Sequence, residues 1–193
     1  MKIIKSRAAL STVVTTLIIL VVSVLLAGVV TMYAINITST RTQQEQLKLS
    51  KQAVWVNATG DYAYAALVID NVGGRDVVID KIQVRGVECP WANVSYLRLD
   101  SSVSGSLLPP NGTYADQLPG DDFEYVSNTY GDFDNTTTTD IPLSSGDTLV
   151  IYIWNPDSIS VNDIGTTVGI TVFTENAQYY VECNIRTSEE ASS

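Results

Sequence analysis

The side chains of this sequence that could do chemistry are carboxylates, two cysteines and a set of asparagines. The 193 residues include no histidine, which excludes Ser-His-Asp and Cys-His catalytic groups and every histidine-ligated metal site. Cys89 and Cys183 are the only cysteines, too few for a four-cysteine zinc or iron–sulfur site. No two carboxylates stand out as an acid and a base. We therefore expect a protein that is not an enzyme and that holds no cofactor.

The densest group of carboxylates lies in the segment 121–140. Loop carboxylates are ligands that Ca²⁺ accepts, but their spacing here fits no EF-hand. A solvated acidic surface loop explains the group equally well, and we assign no metal ligand. The residues concerned are Asp121, Asp122, Glu124, Asp132, Asp134 and Asp140.

The elements that carry these residues begin with an apolar segment. No charged residue occurs in 8–40, and Val, Leu and Ile dominate 13–37, which is long enough to cross a bilayer as a helix. The charges ahead of it are Lys2, Lys5 and Arg7. Because such residues resist translocation, we expect the N-terminus in the cytoplasm and the later part of the chain outside. A signal-peptide core is about half this length, so we expect a transmembrane helix rather than a removed signal.

Composition indicates that this helix continues past the apolar segment. Residues 40–52 are rich in helix formers, and proline is absent before Pro90. We expect one helix over 9–53 that crosses a membrane and ends in a polar stalk. Small side chains at four-residue spacing would form a stripe along which another helix could approach closely. They are Thr12, Thr16, Ser23, Ala27 and Thr31.

Beyond residue 54 the pattern is typical of β-strands. Short apolar and aromatic runs are separated by Gly, Pro, Asn and Asp, and 179–186 alternates residue by residue. The strand candidates are 62–70, 77–85, 94–99, 148–154, 166–174 and 179–186. The segment 101–140 is more typical of loops with a weak edge strand. The fold class is therefore α+β: a long N-terminal hydrophobic helix, an all-β, immunoglobulin-like sandwich over 54–187, and a flexible tail over 188–193.

The outer portion is strongly acidic. After Trp55 there are 20 acidic and five basic residues, a net charge of −15 against −10 for the whole chain. A nucleic-acid binder needs a clustered basic surface, so no nucleic-acid partner is expected.

Modification signals also concentrate in this portion. We expect N-glycans at the sequons of Asn57, Asn93, Asn111 and Asn135, whereas a fifth sequon, at Asn36, lies too near the membrane. Cys89 and Cys183 would form a disulfide in an exported domain, and two separately buried thiols are the alternative.

The N-terminal residues resemble those of a known family. Lys5-Ser6-Arg7-Ala8-Ala9-Leu10-Ser11-Thr12-Val13-Val14, followed by an uninterrupted apolar helix, resembles the class III signal of archaeal type IV pilins and archaellins. The resemblance implies that a prepilin peptidase cuts between Ala8 and Ala9, so that 1–8 is a basic leader and Arg7, Ala8, Ala9 and Leu10 form the cleavage site. The helix is then retained in the mature protein.

Two further features bear on this resemblance. Residues 66–86 look like the strand–turn–strand unit that opens the β-sandwich head of these proteins. The glutamate near the start of the mature helix in bacterial type IV pilins has no counterpart, since Val13 occupies the fifth position after the implied cut. The likeness is therefore to the archaeal members.

The resemblance implies a structural role at the cell surface. The chain would be inserted in the membrane as a precursor and would then polymerise through its helix into an extracellular filament, an adhesion pilus or an archaellum-like fibre. The alternative is a single-pass anchored module, minor pilin-like or archaellum-accessory, that binds the surface layer without polymerising. A third reading places Trp55, Trp91 and Trp154 around a sugar site, although core or interface positions suit tryptophans better.

Overall fold

A computed structural model describes residues 2–42, 44–110, 122–125, 128–135 and 140–188. The chain divides into two compact units, Met1–Gln43 and Gln44–Ser193. The first unit is an apolar helix and the second is a β unit. The α+β class predicted from the sequence is therefore confirmed.

The helix α1 (Lys2–Thr42) is 41 residues long and unbroken. It contains no proline and one glycine, Gly28, so nothing in the sequence removes a backbone hydrogen bond or kinks it. Apolar residues cover all sides of the helix rather than one face. Such a helix gains no stability from one buried stripe and requires an apolar surrounding on every side.

The predicted continuation of the helix to residue 53 is wrong. The helix ends at Thr42, and the first strand, β1 (Leu47–Asn57), includes the segment assigned to a polar stalk. Helix propensities differ by only tenths of a kcal/mol per residue. Pairing with a neighbouring strand outweighs these small differences in helix propensity. Residues from Leu47 to Asn57 of β1 lie in antiparallel register with Asn71 to Tyr62, and Leu47 becomes buried.

The other strands of the β unit follow in chain order. They are β2 (Tyr62–Asn71), β3 (Val77–Val84), β4 (Val87–Glu88), β5 (Val94–Leu99), β6 (Asp122–Tyr125), β7 (Asn128–Asp132), β8 (Asp134–Asn135), β9 (Ile141–Leu143), β10 (Thr148–Trp154), β11 (Thr167–Thr174) and β12 (Gln178–Thr187). Short 3-10 helices occupy Trp91–Asn93 and Val161–Asp163. All six strands predicted from alternation and turn residues are confirmed to within two residues at each end.

One curled sheet contains ten of the strands found in the described residues. Their order is β4-β3-β11-β12-β1-β2-β10-β5-β8, β9 pairs with β3, and β6 and β7 form a separate hairpin. The neighbours pair antiparallel except β1 and β12, which run parallel with Val54 opposite Ile185. The first strand of the β unit therefore lies in the middle of the sheet, beside the last one.

The central strand β2 is buried on both faces, and the two faces contact different groups of side chains. Its odd-numbered residues from Ala63 to Ile69 belong to an inner cluster that packs between the two halves of the curled sheet, centred on Leu67, Ile79, Ile151 and Ile170. Its even-numbered residues from Tyr64 to Val68 belong to an outer cluster, which consists of Trp55, Tyr64, Ala66, Val68, Leu97, Val103, Leu107, Phe133, Val150 and Tyr152. Because the halves belong to one continuous sheet, the immunoglobulin-like sandwich stays a prediction.

A described part of the predicted loop region covers the outer cluster. Val103 and Leu107 are buried in this cluster, the Tyr152 hydroxyl donates to the Leu108 carbonyl at 2.8 Å, and the Lys51 ammonium donates to the Gly105 carbonyl. The loop 101–110 thus forms an extra layer on the sheet, which its polar composition did not indicate.

Candidate functional site

The largest exposed apolar surface of the described residues belongs to α1. Every large apolar side chain from Leu10 to Ile37 is at least 42% exposed. Leu10–Ser39 is long and apolar enough to cross a membrane. At 1.5 Å per residue, these 30 residues span about 45 Å, more than the roughly 30 Å of a hydrocarbon core. A surface of this size is incompatible with water unless lipid or other helices cover it.

Five hydroxyl groups of α1 donate to carbonyls within the helix. Thr15 donates to the Ser11 carbonyl at 2.8 Å and Thr16 to that of Val13 at 2.9 Å. The hydroxyls of Ser23, Thr31 and Thr38 donate to the carbonyl four residues earlier at 2.7, 2.7 and 2.9 Å. Unsatisfied polar groups are costly in hydrocarbon, and this back-bonding removes that cost. The helix therefore presents an almost entirely apolar exterior.

The predicted stripe and cleavage site both lie on this helix. At about 100° per residue, Thr12, Thr16, Ser23, Ala27 and Thr31 fall within about 100° of one another around the axis, and all five are exposed. Their role in helix packing stays a prediction. The backbone at Arg7, Ala8, Ala9 and Leu10 is helical and Leu10 is exposed, whereas the side chains of residues 2–9 lie outside the described part.

The β unit begins with a segment held on two sides. The carbonyls of Gln44 and Gln46 accept from the amides of Gly74 at 3.3 Å and Val72 at 3.0 Å. Between them, the Glu45 carboxylate accepts from Thr174 Oγ1, from Asn176 Nδ2 at 3.4 Å and from the Tyr179 hydroxyl at 3.5 Å. The entry point of the chain into the sheet is therefore fixed.

Sequence reasoning missed this junction because it assigned the segment to the helix. Burial, together with the Glu45 charge, raises the pKa of Tyr179. The signal in the sequence was the turn 71–75 with its two glycines. A Cβ at Gly73 would overlap the backbone of Gln44 and Gln46, so this close approach requires a glycine.

The predicted glycosylation sites differ in their surroundings. Asn57 holds the β1–β2 turn: its Oδ1 accepts from the amides of Thr59 at 3.0 Å and Gly60 at 2.8 Å, and its Nδ2 donates to the Tyr62 hydroxyl at 2.9 Å. Asn93 is half-buried at the end of a 3-10 helix. The backbone of Asn135 pairs with Ser95, its side chain lies outside the described part, and so does all of Asn111. Glycosylation at all four stays a prediction.

The predicted disulfide is absent: Cys89 and Cys183 are free thiols. The Cys89 amide bonds to the Ile82 carbonyl at 2.9 Å, and Ile82 lies opposite Val172, which lies opposite Tyr179. Along the strand direction, Cys89 therefore lies at the position of Tyr179, which is four residues before Cys183. Four residues span about 13 Å along a strand, beyond the roughly 7 Å over which two Cα atoms can be bridged. Burial raises the pKa of each thiol to about 11.

The two other candidate groups do not form a site in the described residues. No cluster there of three or more His, Cys, Asp or Glu could hold a metal. Asp121 and the side chains of Asp122, Glu124 and Asp132 lie outside this part, whereas Asp134 and Asp140 are exposed.

The three tryptophans are not brought together. Trp55 is buried in the outer cluster and Trp154 packs against it, with its ring 5.1 Å from that of Tyr62. Trp91 packs against the inner cluster instead. The structure therefore contradicts a sugar site built from all three.

Comparison with known proteins adds no assignment. No family model matches the sequence, and no curated protein matches it.

Proposed function

We propose that this chain is the structural subunit of an archaeal type IV pilus-like surface filament, either an adhesion pilus or an archaellum-like fibre. The observation that carries the proposal is the 30-residue apolar stretch of α1, exposed on every side and attached to a β unit that has its own buried core. A chain built in this way needs an apolar partner for its helix and none for its β unit.

Lipid and neighbouring helices can serve in turn as that partner. The precursor is held in the membrane by α1, and after cleavage the same surface packs against copies of itself along the stripe of small residues. Lys2, Lys5 and Arg7 are the only charges ahead of the apolar stretch. Their removal lowers the cost of moving the helix out of the membrane into an apolar filament core.

The acidic β units suit the outer surface of such a filament. Their net charge of −15 after Trp55 keeps them hydrated and disfavours random aggregation. Glycans at the expected sequons would add to this hydrated surface.

A second candidate is a single-pass anchored module that binds the surface layer. It is favoured by the same length of α1, which is enough to hold one copy in a bilayer without any assembly. Abundance separates the two candidates, because a filament subunit dominates material sheared from the cell surface and an anchored module remains with the membrane.

The deciding experiment is electron microscopy and mass spectrometry of sheared surface material from the native cells. We expect filaments whose major subunit is this chain, with Ala9 at its N-terminus. A surface form that still begins at Met1, or sheared material without this chain, would overturn the proposal.

A pair of variants tests the cleavage step. Ala8→Phe places a bulky side chain at the implied cut and is expected to block processing and filaments. Ala92→Phe changes the same residue type at an exposed position of the β unit and is expected to be processed normally. Equal processing of both variants contradicts the assigned cleavage site.

A further inference from the structure

A polar pocket of about 470 Å³ opens on the face of the sheet that carries the outer cluster. It lies beyond the last residues of that cluster, where β1 and β10 begin and β2 and β5 end. Lys48, Asp70 and Thr148 line it from the strands, Asp100, Ser101 and Ser102 from the start of the covering loop, and the turns 71–73 and 145–146 complete it. Its volume is within the range of small-molecule sites.

Strand register brings the pocket residues together. Lys48 lies directly opposite Asp70, Asp70 lies opposite Thr148, and Thr148 lies opposite Leu99, the residue before Asp100. Directly opposed residues point to the same face, so Lys48, Asp70 and Thr148 form one row across three strands. With strands about 4.8 Å apart, this row is about 10 Å long, and Asp100 follows the end of the fourth strand, β5.

Asp70 is the unusual member of this row. The residues before it on the same face of β2, Tyr64, Ala66 and Val68, are apolar members of the outer cluster. Asp70 itself is only 9% exposed, and the one hydrogen bond of its side chain among described residues is from Thr148 Oγ1 to Oδ1 at 2.8 Å. Burying a carboxylate is costly unless both oxygens find partners.

The second carboxylate oxygen of Asp70 is not fully buried. No hydrogen bond to Oδ2 occurs within the described part of the chain, yet that part contains no fully buried side-chain oxygen without a partner. Oδ2 therefore keeps some accessible surface, and Asp70 is one of the residues that line the pocket. A carboxylate oxygen is a strong acceptor.

Lys48 supplies a donor beside this acceptor. Its ammonium group does not form an ion pair with the opposite Asp70. The one ion pair found among the described residues is Arg85–Asp163. Lys48 is exposed, and the Ser101 and Ser102 hydroxyls can donate and accept next to it. The pocket lining thus includes both donors and acceptors, and it includes no aromatic side chain.

We propose that this pocket binds a neutral saccharide, one or two sugar rings in size, with sugar hydroxyls donating to Asp70 and Asp100 and accepting from Lys48. A sugar hydroxyl both donates and accepts, which matches the mixed lining. The two carboxylates repel an anionic ligand. Lys48 and the lack of a third carboxylate in the lining disfavour a divalent cation. The proposal is independent of filament formation.

The test uses the detergent-solubilised full chain and three probes: the methyl glycosides of glucose, mannose and galactose. Saturation-transfer NMR reports binding, and amide shifts report its location. We expect at least one glycoside at about 50 mM, well above a millimolar dissociation constant, to shift the amides of Gly73, Ser101, Ser102 and Gly146. If no glycoside shifts these amides, or if CaCl₂ alone does so, the proposal is wrong.

Variants assign the effect to the carboxylates. Asp70→Asn and Asp100→Asn are each expected to weaken binding by about tenfold, since each loses a charged acceptor. Asp80→Asn removes an exposed carboxylate on β3, outside the pocket, and should bind like the parent. Because Asp100 is exposed, its variant tests the pocket even if Asp70→Asn fails to fold. Unchanged binding in a folded Asp100→Asn would overturn the proposal.

Discussion

A few polar side chains hold the loops of the β unit in place. The clearest case joins the end of β3 to the 3-10 helix before β11. Arg85 Nη1 donates to Asp163 Oδ1 at 2.8 Å and to the Ser158 carbonyl at 3.2 Å, and Asp163 Oδ2 accepts from the Ser160 amide at 2.9 Å and hydroxyl at 2.8 Å. The Arg85 hydrogen bond, followed by those from Ser160, lowers the pKa of Asp163 to about 2.

This carboxylate makes the stability of the β unit depend on pH. The pKa of this carboxyl is lower in the folded than in the unfolded state. Its contribution to the free energy of unfolding is therefore fully present above the unfolded pKa of about 4, and it is lost as the pH falls through the folded pKa. We expect the free energy of unfolding, from urea titrations, to fall less between about pH 4 and 2 in Asp163→Asn than in the parent. Asp157→Asn, in the same loop and exposed, should retain the pH dependence of the parent. Parallel curves for Asp163→Asn and the parent would refute this role.

Two crowded glycines allow a second test of single positions. A Cβ at Gly73 would lie 2.6 Å from the Gln46 nitrogen and 2.7 Å from the Gln44 carbonyl oxygen, whereas the atoms nearest to a Cβ at Gly169 belong to the side chain of Tyr180, which is 60% exposed. Backbone atoms held by hydrogen bonds cannot move aside, but an exposed ring can. Gly73→Ala should lower the free energy of unfolding by about 2 kcal/mol, and Gly169→Ala by less than about 0.5 kcal/mol. Equal losses would show that the 44–46 segment is not rigidly held.

At the scale of elements, local sequence and long-range pairing decide different parts of the chain. The helix α1 follows from composition alone, because its backbone hydrogen bonds, and those of several of its hydroxyls, are made within the helix. Strand β1 depends on partners far along the chain: β2 on one side and β12, more than 120 residues later, on the other. That difference explains why local composition predicts a helix end at residue 53, whereas the helix ends at Thr42.

The packing stripe of α1 can be tested with two adjacent threonines. Thr16 belongs to the stripe and Thr15 does not, although the hydroxyl of each is bonded within the helix. Thr16→Leu should weaken association of the full chain in lipid bilayers, measured by energy transfer between labelled copies, by about fivefold, because the bulkier side chain keeps helices apart. Thr15→Leu is about 100° away around the axis and should change association little. Similar weakening by both variants would mean that the stripe is not the contact.

At the scale of the whole molecule, the β unit is closed by its last strand. Ile185 of β12 is 2% exposed, belongs to the inner cluster and lies opposite Val54 of β1. The inner cluster therefore joins residues from both ends of the β unit. Closure needs the full length of this unit, so we expect one cooperative unfolding transition for it.

Shortening Ile185 tests this closure. Ile185→Ala leaves a cavity between β12 and β1 and should lower the free energy of unfolding by about 3 kcal/mol. Ile164→Ala makes the same change at a position that is 37% exposed and should cost less than about 1 kcal/mol. Chemical denaturation followed by tryptophan fluorescence measures both. If Ile185→Ala costs no more than Ile164→Ala, β12 does not close the core.

The sequence by itself determined what depends on neighbours along the chain. The apolar helix follows from the length of its uncharged apolar run. Six strands follow from the period of the side chains and from nearby turn residues, since a half-buried strand shows its buried face within a few positions. Only the tertiary structure decided what depends on strand order and register. The pairing of the strands places Cys89 and Cys183 apart from each other, and it makes Leu47 part of a strand. Lys48, Asp70 and Thr148 meet at one pocket for the same reason, since a register shift of one residue would turn each of these side chains to the other face.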